Sequence, residues 1–144
     1  MIKYVKKLDS DYKIHYPINQ IETLPDYLQL AVDEFQEELN WEKMWSMEDA
    51  EKRLKDGWKF NTVELDSWGR NTIFGWIWLS PEQIACNLYV HKYYRNKGWG
   101  EKLILSIFNV AKQLGYDKVY SEIDEWNEVS KRLVDRLGYA RLNI

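Results

Sequence analysis

The sequence predicts an α/β (α+β) domain: a mixed, mostly antiparallel central sheet with helices on both faces. Three observations carry that expectation. Residues 21–57 place apolar side chains at helical spacing, whereas 58–91 turn β-branched and aromatic. Within 58–91, strand-like runs are separated by short turn-like stretches, the pattern of an antiparallel meander. A strand, a long amphipathic helix and a strand then follow over 83–124, which is the length of a right-handed parallel crossover.

Each element has a local reason. "IKYVKKL" at the start is a weak strand candidate. From Ile21 to Asn40, Leu24, Leu28, Val32, Phe35 and Leu39 recur at steps of four and three, which predicts a helix. "SMEDAEKRLKDG" predicts a second, with Ser46 as N-cap and Gly57 as its stop. "WKFNTVEL" (58–65), "NTIFGWIWLS" (71–80) and "QIACNLYVH" (83–91) predict three strands, joined through "DSWGR" and "SPEQ". Leu103, Ile104, Ile107, Phe108, Ala111 and Leu114 form one helical face that Gly115 ends. "DKVYSEID" (117–124) predicts a strand, Asn127 to Leu137 a short helix stopped by Gly138, and "YARLNI" a last strand.

Composition narrows the class. At 144 residues the chain reads as one domain spanning 1–144, with 45% hydrophobic and 15% aromatic residues to fill a core. One cysteine, Cys86, precludes an internal disulfide and fits a reducing cytoplasm. No run of some 18 apolar residues suggests a membrane span, and the first residues lack the apolar stretch of a signal peptide. A soluble, cytoplasmic protein is expected. Net charge is −3, but residues 22–51 alone carry −9, so the remainder sums to +6. His15 and His91, with one cysteine, make no recognisable metal set, and no nucleic-acid site is indicated.

The stretch "YYRNKGWGEKLIL" (93–105) joins the end of a strand to the start of a helix. Four N–H groups in the first turn of a helix lack internal partners and carry partial positive charge. Glycines at 98 and 100 let a bound group approach the backbone, and Arg95 and Lys97 add charge, which suits a pyrophosphate. On spacing alone the stretch reads equally as a glycine-bearing turn. It is not a nucleotide P-loop, since Glu101 stands where Gly-Lys-Ser/Thr would continue, nor a dinucleotide fingerprint, for want of a third glycine.

The flanks add more. "LYVHKYYRNKGWG" (88–100) resembles the acyl-CoA signature of the GNAT superfamily of N-acyltransferases, in which Arg/Gln-x-x-Gly-x-Gly/Ala opens a helix. "NEVSKRLVDRLGY" (127–139) resembles that family's second signature, and the element order is also the family's. The resemblance implies that pantetheine lies along Leu88, Tyr89 and Val90 like an added strand. It places the pyrophosphate on the main-chain amides of Arg95, Asn96, Lys97, Gly98, Trp99 and Gly100. Asn127 and Ser130 would face pantetheine; Asn127 also reads as a plain N-cap, and the two roles can coexist. Acetyl-CoA is the implied co-substrate, with no metal. Family members usually close with a two-stranded hairpin, whereas five residues follow Tyr139 here, so the sheet is expected to lack its last strand and a homodimer contact to cover the edge.

The implied chemistry is attack of an amine on a thioester, which needs a neutral amine, an oxyanion donor and a fate for the thiolate. The family's usual donor is a backbone N–H near Tyr89–Val90. The tyrosine that many members use as general acid is Val134 here. A thiol of pKa about 8.5 makes unassisted departure cost only about 2 kcal/mol, whereas deprotonating an amine of pKa about 10.4 costs roughly 4.6 kcal/mol at pH 7. A base therefore matters more than an acid. Glu82 is the first choice, by likeness to relatives that acetylate protein N-termini, with a solvated turn residue as the alternative; Glu122 and Asp124 stand in reserve. Tyr94, Tyr120 and Tyr139 are the unranked substitutes for the acid. The resemblance puts the acidic N-terminal helices on the acceptor side, where Trp41 and Trp45 would wall the acceptor or simply fill the core. The two function classes left are an N-acetyltransferase acting on a small-molecule or peptide amine, and a silent CoA-binding or protein-interaction module on the same fold.

Overall fold

The structure is a computed structural model that describes residues 1–10, 12, 18–38, 45–67 and 70–142, without the side chains of 65–67, 70 and 71. The chain runs β1 (Ile2–Lys7), β2 (Asn19–Gln20), α1 (Tyr27–Glu38), α2 (Met47–Lys55), β3 (Lys59–Ser67), β4 (Arg70–Leu79) and β5 (Ala85–Val90). A single 3-10 turn at Lys92–Tyr94 follows, then α3 (Trp99–Gln113), β6 (Lys118–Ile123), α4 (Glu128–Arg136) and β7 (Ala140–Arg141).

The order predicted from the sequence holds, with β2 and the 3-10 turn added. The first helix starts later than its apolar spacing suggests. Ile21 still gives its N–H to Phe60 O over 2.8 Å, extending the β2 pairing, and the helix sets in only after Pro25, whose carbonyl accepts from Leu28. Proline is tolerated in a first turn but not deeper, so it fixes where the helix can begin. Ser46 caps α2 as expected, and Asp49 returns a bond to the Ser46 N–H to complete a capping box.

The expected meander is there: β2, β3, β4 and β5 form one antiparallel sheet. β1 lies between β6 and β7 in a second antiparallel sheet. The single mixed sheet of the sequence reading is therefore two ladders. They meet at one parallel bridge, Ile84 to Tyr120, where the Tyr120 N–H reaches Gln83 O at 2.8 Å. β7 is the last strand foreseen, and it covers β1 over two residues.

Alternation along β4 divides the core. Phe74, Ile77 and Leu79 pack with Val63, Leu103, Ile107 and Phe108 on the α3 side. Ile73, Trp76 and Trp78 pack with Phe35, Trp45 and Phe60 on the α1 and α2 side. Ile73 and Trp76 share a face although three residues apart, because the register shifts opposite Val63 and Glu64 and Phe74 is the extra residue. Trp76 and Trp78 are 0% exposed. A fully buried large side chain stabilises by about 1.5–3 kcal/mol, so this aromatic layer anchors the sheet under the site.

Candidate functional site

Past Ile84 the strands β5 and β6 run parallel without pairing, and the gap between them is a cavity of about 220 Å³. Ala85 to Leu88 line one wall, Ser121 to Asp124 the other, and Asn127, Ser130, Leu133 and Val134 form its α4 side. β5 bulges along this wall. Trp76 pairs with Tyr89 but Trp78 pairs with Cys86, so β5 carries one residue more than β4. Asn87 takes φ 54° there, and Arg53 of α2 donates to its Oδ1 at 2.9 Å. The left-handed non-glycine residues among those described are Gln83, Asn87 and Asn96, all within this one segment. Such backbone is uncommon and gathers at functional sites.

The end of β5 presents a free edge. His91 gives its N–H to Phe74 O of β4 at 2.7 Å. Strand alternation therefore turns the N–H and C=O of Val90 to the other edge, toward the gap. Arg95 Nε donates to Val90 O at 2.8 Å, so the carbonyl is taken.

Next to this edge stands the start of α3. Its N-cap is Gly98, at φ 85°, with no side-chain cap, whereas Ser46 caps α2 and Asn127 caps α4. The bare helix end leaves first-turn amides for an anion. Gly100 lies between Leu88 and Leu133, each 3.7 Å from where a Cβ would stand, so the helix start abuts the cavity wall.

On the opposite side of β5 lies a polar network that the sequence reading did not anticipate. Tyr89 donates its hydroxyl to Glu38 Oε2, Arg95 Nη2 is 2.6 Å from Glu38 Oε1, and His91 Nε2 is 2.7 Å from Glu34 Oε1. His91 Nδ1 accepts from the Tyr93 N–H at 3.2 Å, which leaves the ring proton on Nε2, facing Glu34. Partial burial acts against ionisation of Glu38, but the Tyr89 hydroxyl and the Arg95 guanidinium outweigh it and hold the carboxyl below its ordinary range. Burial and the Glu38 carboxylate push the Tyr89 phenol up. The only hint in the sequence was the four-residue spacing of Glu34 and Glu38 on a helix, which says nothing of a strand end meeting them.

The expected site residues divide. Leu88, Asn127 and Ser130 line the cavity, and Tyr89, Val90 and the 95–100 loop border it or continue from it. Asn127 Oδ1 accepts from the Ser130 N–H at 3.2 Å, so the cap reading holds and only its amide NH₂ remains for a ligand. Arg95 turns its charge to Glu38, and Lys97 Nζ reaches Tyr93 O at 3.3 Å. Glu82 sits exposed in the turn before the bridge, away from the cavity lining, where Glu122 and Asp124 do occur. Trp45 is 7% exposed and packed edge-on to Phe60, Trp76 and Trp78, which is the core alternative; Trp41 lies outside the described residues. Tyr94 packs on Phe74 at 4.3 Å between ring centres and Lys3 covers Tyr120, while the buried Tyr139 hydroxyl accepts from Ser121 Oγ at 3.2 Å. Burial, above all, pushes the Tyr139 phenol up. Burial likewise leads in raising the Cys86 thiol to about 11, with Glu122 and Glu82 adding and Arg53 opposing.

The family model for the acetyltransferase (GNAT) family matches residues 24–139, which is most of the chain. The chain belongs to the GNAT acetyltransferase family. Solved structures agree on this GNAT fold at low identity. A Drosophila protein superposes with a TM-score of 0.74 at 14% identity over 98% of this chain, which spans only 47% of that one. AAC(6')-Iy, bound to the bisubstrate analog CoA-S-monomethyl-acetylneamine, gives 0.69 at 15% identity, covering 89% of this chain and 92% of its own. A GNAT-family acetyltransferase from Staphylococcus aureus Mu50 gives 0.67 at 21% identity, over 88% and 87%. No curated protein sequence gives a significant match.

Proposed function

We propose that this chain moves an acetyl group from acetyl-CoA to a primary amine by direct attack. The observation that supports the reading best is the gap between β5 and β6, open along one strand edge and ending beside an uncapped helix N-terminus. Main-chain amides from Arg95 to Gly100 would hold the diphosphate, and the Leu88–Val90 edge the pantetheine arm. The Asn127 amide NH₂ would meet that arm from α4. Bound acetyl-CoA supplies the thioester carbonyl. The Val90 N–H on the free edge is the donor for the charge that develops on its oxygen.

We assign the base to Glu122 ahead of Glu82. On β6, Val119, Ser121 and Ile123 are buried, with Val119 and Ile123 in the α3-side core, so Glu122 projects to the opposite face. That is the face of β5 where Cys86 packs beneath α1 and α2, the side expected to receive the acceptor. Departure of the thiolate without a tyrosine in α4 costs about 2 kcal/mol, which does not preclude turnover. The CoA–aminoglycoside analog carried by AAC(6')-Iy is consistent with an amine acceptor.

Release of free CoA with a panel of primary amines tests the reading. Glu122→Gln is expected to lower kcat at least tenfold with CoA affinity kept, and Glu82→Gln to leave kcat within twofold. The silent-module alternative draws on Val134, which is 3% exposed and offers no proton. CoA binding with no turnover across the panel would establish that alternative.

A further inference from the structure

Arg95 opens the glycine loop, where a cation is expected to face the phosphates. Two of its nitrogens are engaged elsewhere. Nε holds Val90 O at 2.8 Å, Nη2 holds Glu38 Oε1 at 2.6 Å, and the ring of Tyr89 lies 5.3 Å from its central carbon. Tyr89 itself donates to the second oxygen of Glu38. Glu38 closes α1, so one carboxylate ties that helix to the strand end and the loop together.

We propose that Arg95 is a positioning residue and not a phosphate ligand: it fixes the Val90–His91 peptide and couples α1 to the cofactor loop. The proposal rests on the acyl-CoA reading of the loop. Arg95 on Val90 O and Phe74 O on the His91 N–H hold the two ends of the Val90–His91 peptide, so the strand end beside the gap keeps its orientation. The same grip holds the loop through Asn96, at φ 61°, and Gly98, at φ 85°, up to the bare end of α3. The planar guanidinium reaches Val90 O and Glu38 from separate nitrogens with Tyr89 beside it, a span that a compact ammonium lacks, so the role is specific to arginine. Glu38, which touches no part of the cavity lining, then becomes a determinant of CoA affinity. Anything that displaces α1, an acceptor included, would change CoA affinity by the same factor that CoA changes acceptor affinity.

The test measures CoA affinity by calorimetry at two salt concentrations, for the unmodified protein and for Arg95→Lys, Arg95→Gln, Glu38→Gln and the Arg95→Gln/Glu38→Gln pair. Each single change is expected to weaken CoA five- to tenfold, the pair no more than the worse single, and the salt dependence to match the unmodified protein. Arg95→Lys keeping full affinity, or Glu38→Gln doing so while Arg95→Gln loses salt dependence, would overturn the proposal in favour of a direct phosphate contact. Amide hydrogen exchange of residues 90–100 in the ligand-free protein reads the clamp without CoA: faster exchange in both single variants supports it, unchanged exchange rejects it. Failure of the unmodified protein to bind CoA would instead reject the acyl-CoA reading.

Discussion

Ile84 and Tyr120 form a parallel bridge between the two sheets, the one found among the described residues, and beyond it their strands separate around the cavity. Pairing between the strands at that point and its absence afterwards make a half-enclosed strand edge, on which Arg95 already holds Val90 O. Such an edge is ready for an extended ligand with amide groups of its own. The expected outcomes below follow from what surrounds it.

Gly75 of β4 packs tightly against the backbone of β5, opposite Val90. A Cβ there would stand 3.0 Å from Val63 Cγ2, 3.1 Å from Tyr89 O and 3.3 Å from Leu103 Cδ1. One of these is backbone of the site strand, which cannot yield without moving. Gly75→Ala is expected to destabilise by about 1–3 kcal/mol in denaturant melts.

Gly98 has open space around it, so only its φ of 85° opposes a side chain. Gly98→Val puts a β-branched residue into left-handed backbone, at a cost of about 1–2 kcal/mol, and recasts the amides before α3. The unmodified protein at a hundredfold excess of CoA over Kd should gain about 2.7 kcal/mol. The variant should fold and lose that gain, read as a thermal shift.

Asn127 has two separable duties. Asn127→Ala removes the cap of α4 and should cost about 1 kcal/mol. Asn127→Asp keeps an oxygen for the Ser130 N–H and should restore stability, yet it lacks the NH₂ donors and should still bind CoA more weakly. Thermal melts and calorimetry on the pair separate cap from ligand.

The Cys86 thiol, raised to about 11, should resist alkylation. At pH 8 its thiolate fraction is roughly a few hundredfold below that of an exposed thiol. Iodoacetamide should label it slowly in the native protein and rapidly in denaturant, as followed by mass spectrometry.

Glu38 gives a signed pH dependence. Its carboxyl is held below the ordinary range, so the folded state favours the ionised form. The stability gained is complete above the unfolded carboxylate pKa and lost as pH falls through the folded value. The difference in Tm between the unmodified protein and Glu38→Gln should therefore be largest near neutral pH and shrink below about pH 4.

The loop from Arg95 to Gly100 was readable because its chemistry is local: small residues, nearby cations and a helix start lie within a few positions. The Asn87 bulge left a fainter trace, an asparagine inside an otherwise β-branched and aromatic run, a residue type disfavoured in strands and tolerant of left-handed backbone. The sequence put Glu82 ahead of Glu122 by likeness to relatives, although both lie on or next to strands that run toward the cavity. Of the two, Glu122 alone lines the cavity, because it lies past the bridge. Trp45 was ambiguous, because an aromatic at helical spacing packs equally well inward or beside a ligand.

The sequence by itself determined the order of elements, the caps of α2 and α4, the glycine entrance to α3 and, through two signatures, the family. These depend on neighbours a few residues apart, whose preferences survive in any tertiary setting. Only the tertiary structure decided that two sheets part after Ile84, that Val90 turns its amide to the gap and that Arg95 spends its charge on Glu38. Glu38 and Arg95 stand far apart along the chain, and their meeting is set by how α1 packs on β4 and reaches the end of β5, a matter of packed surfaces on which local preference is silent.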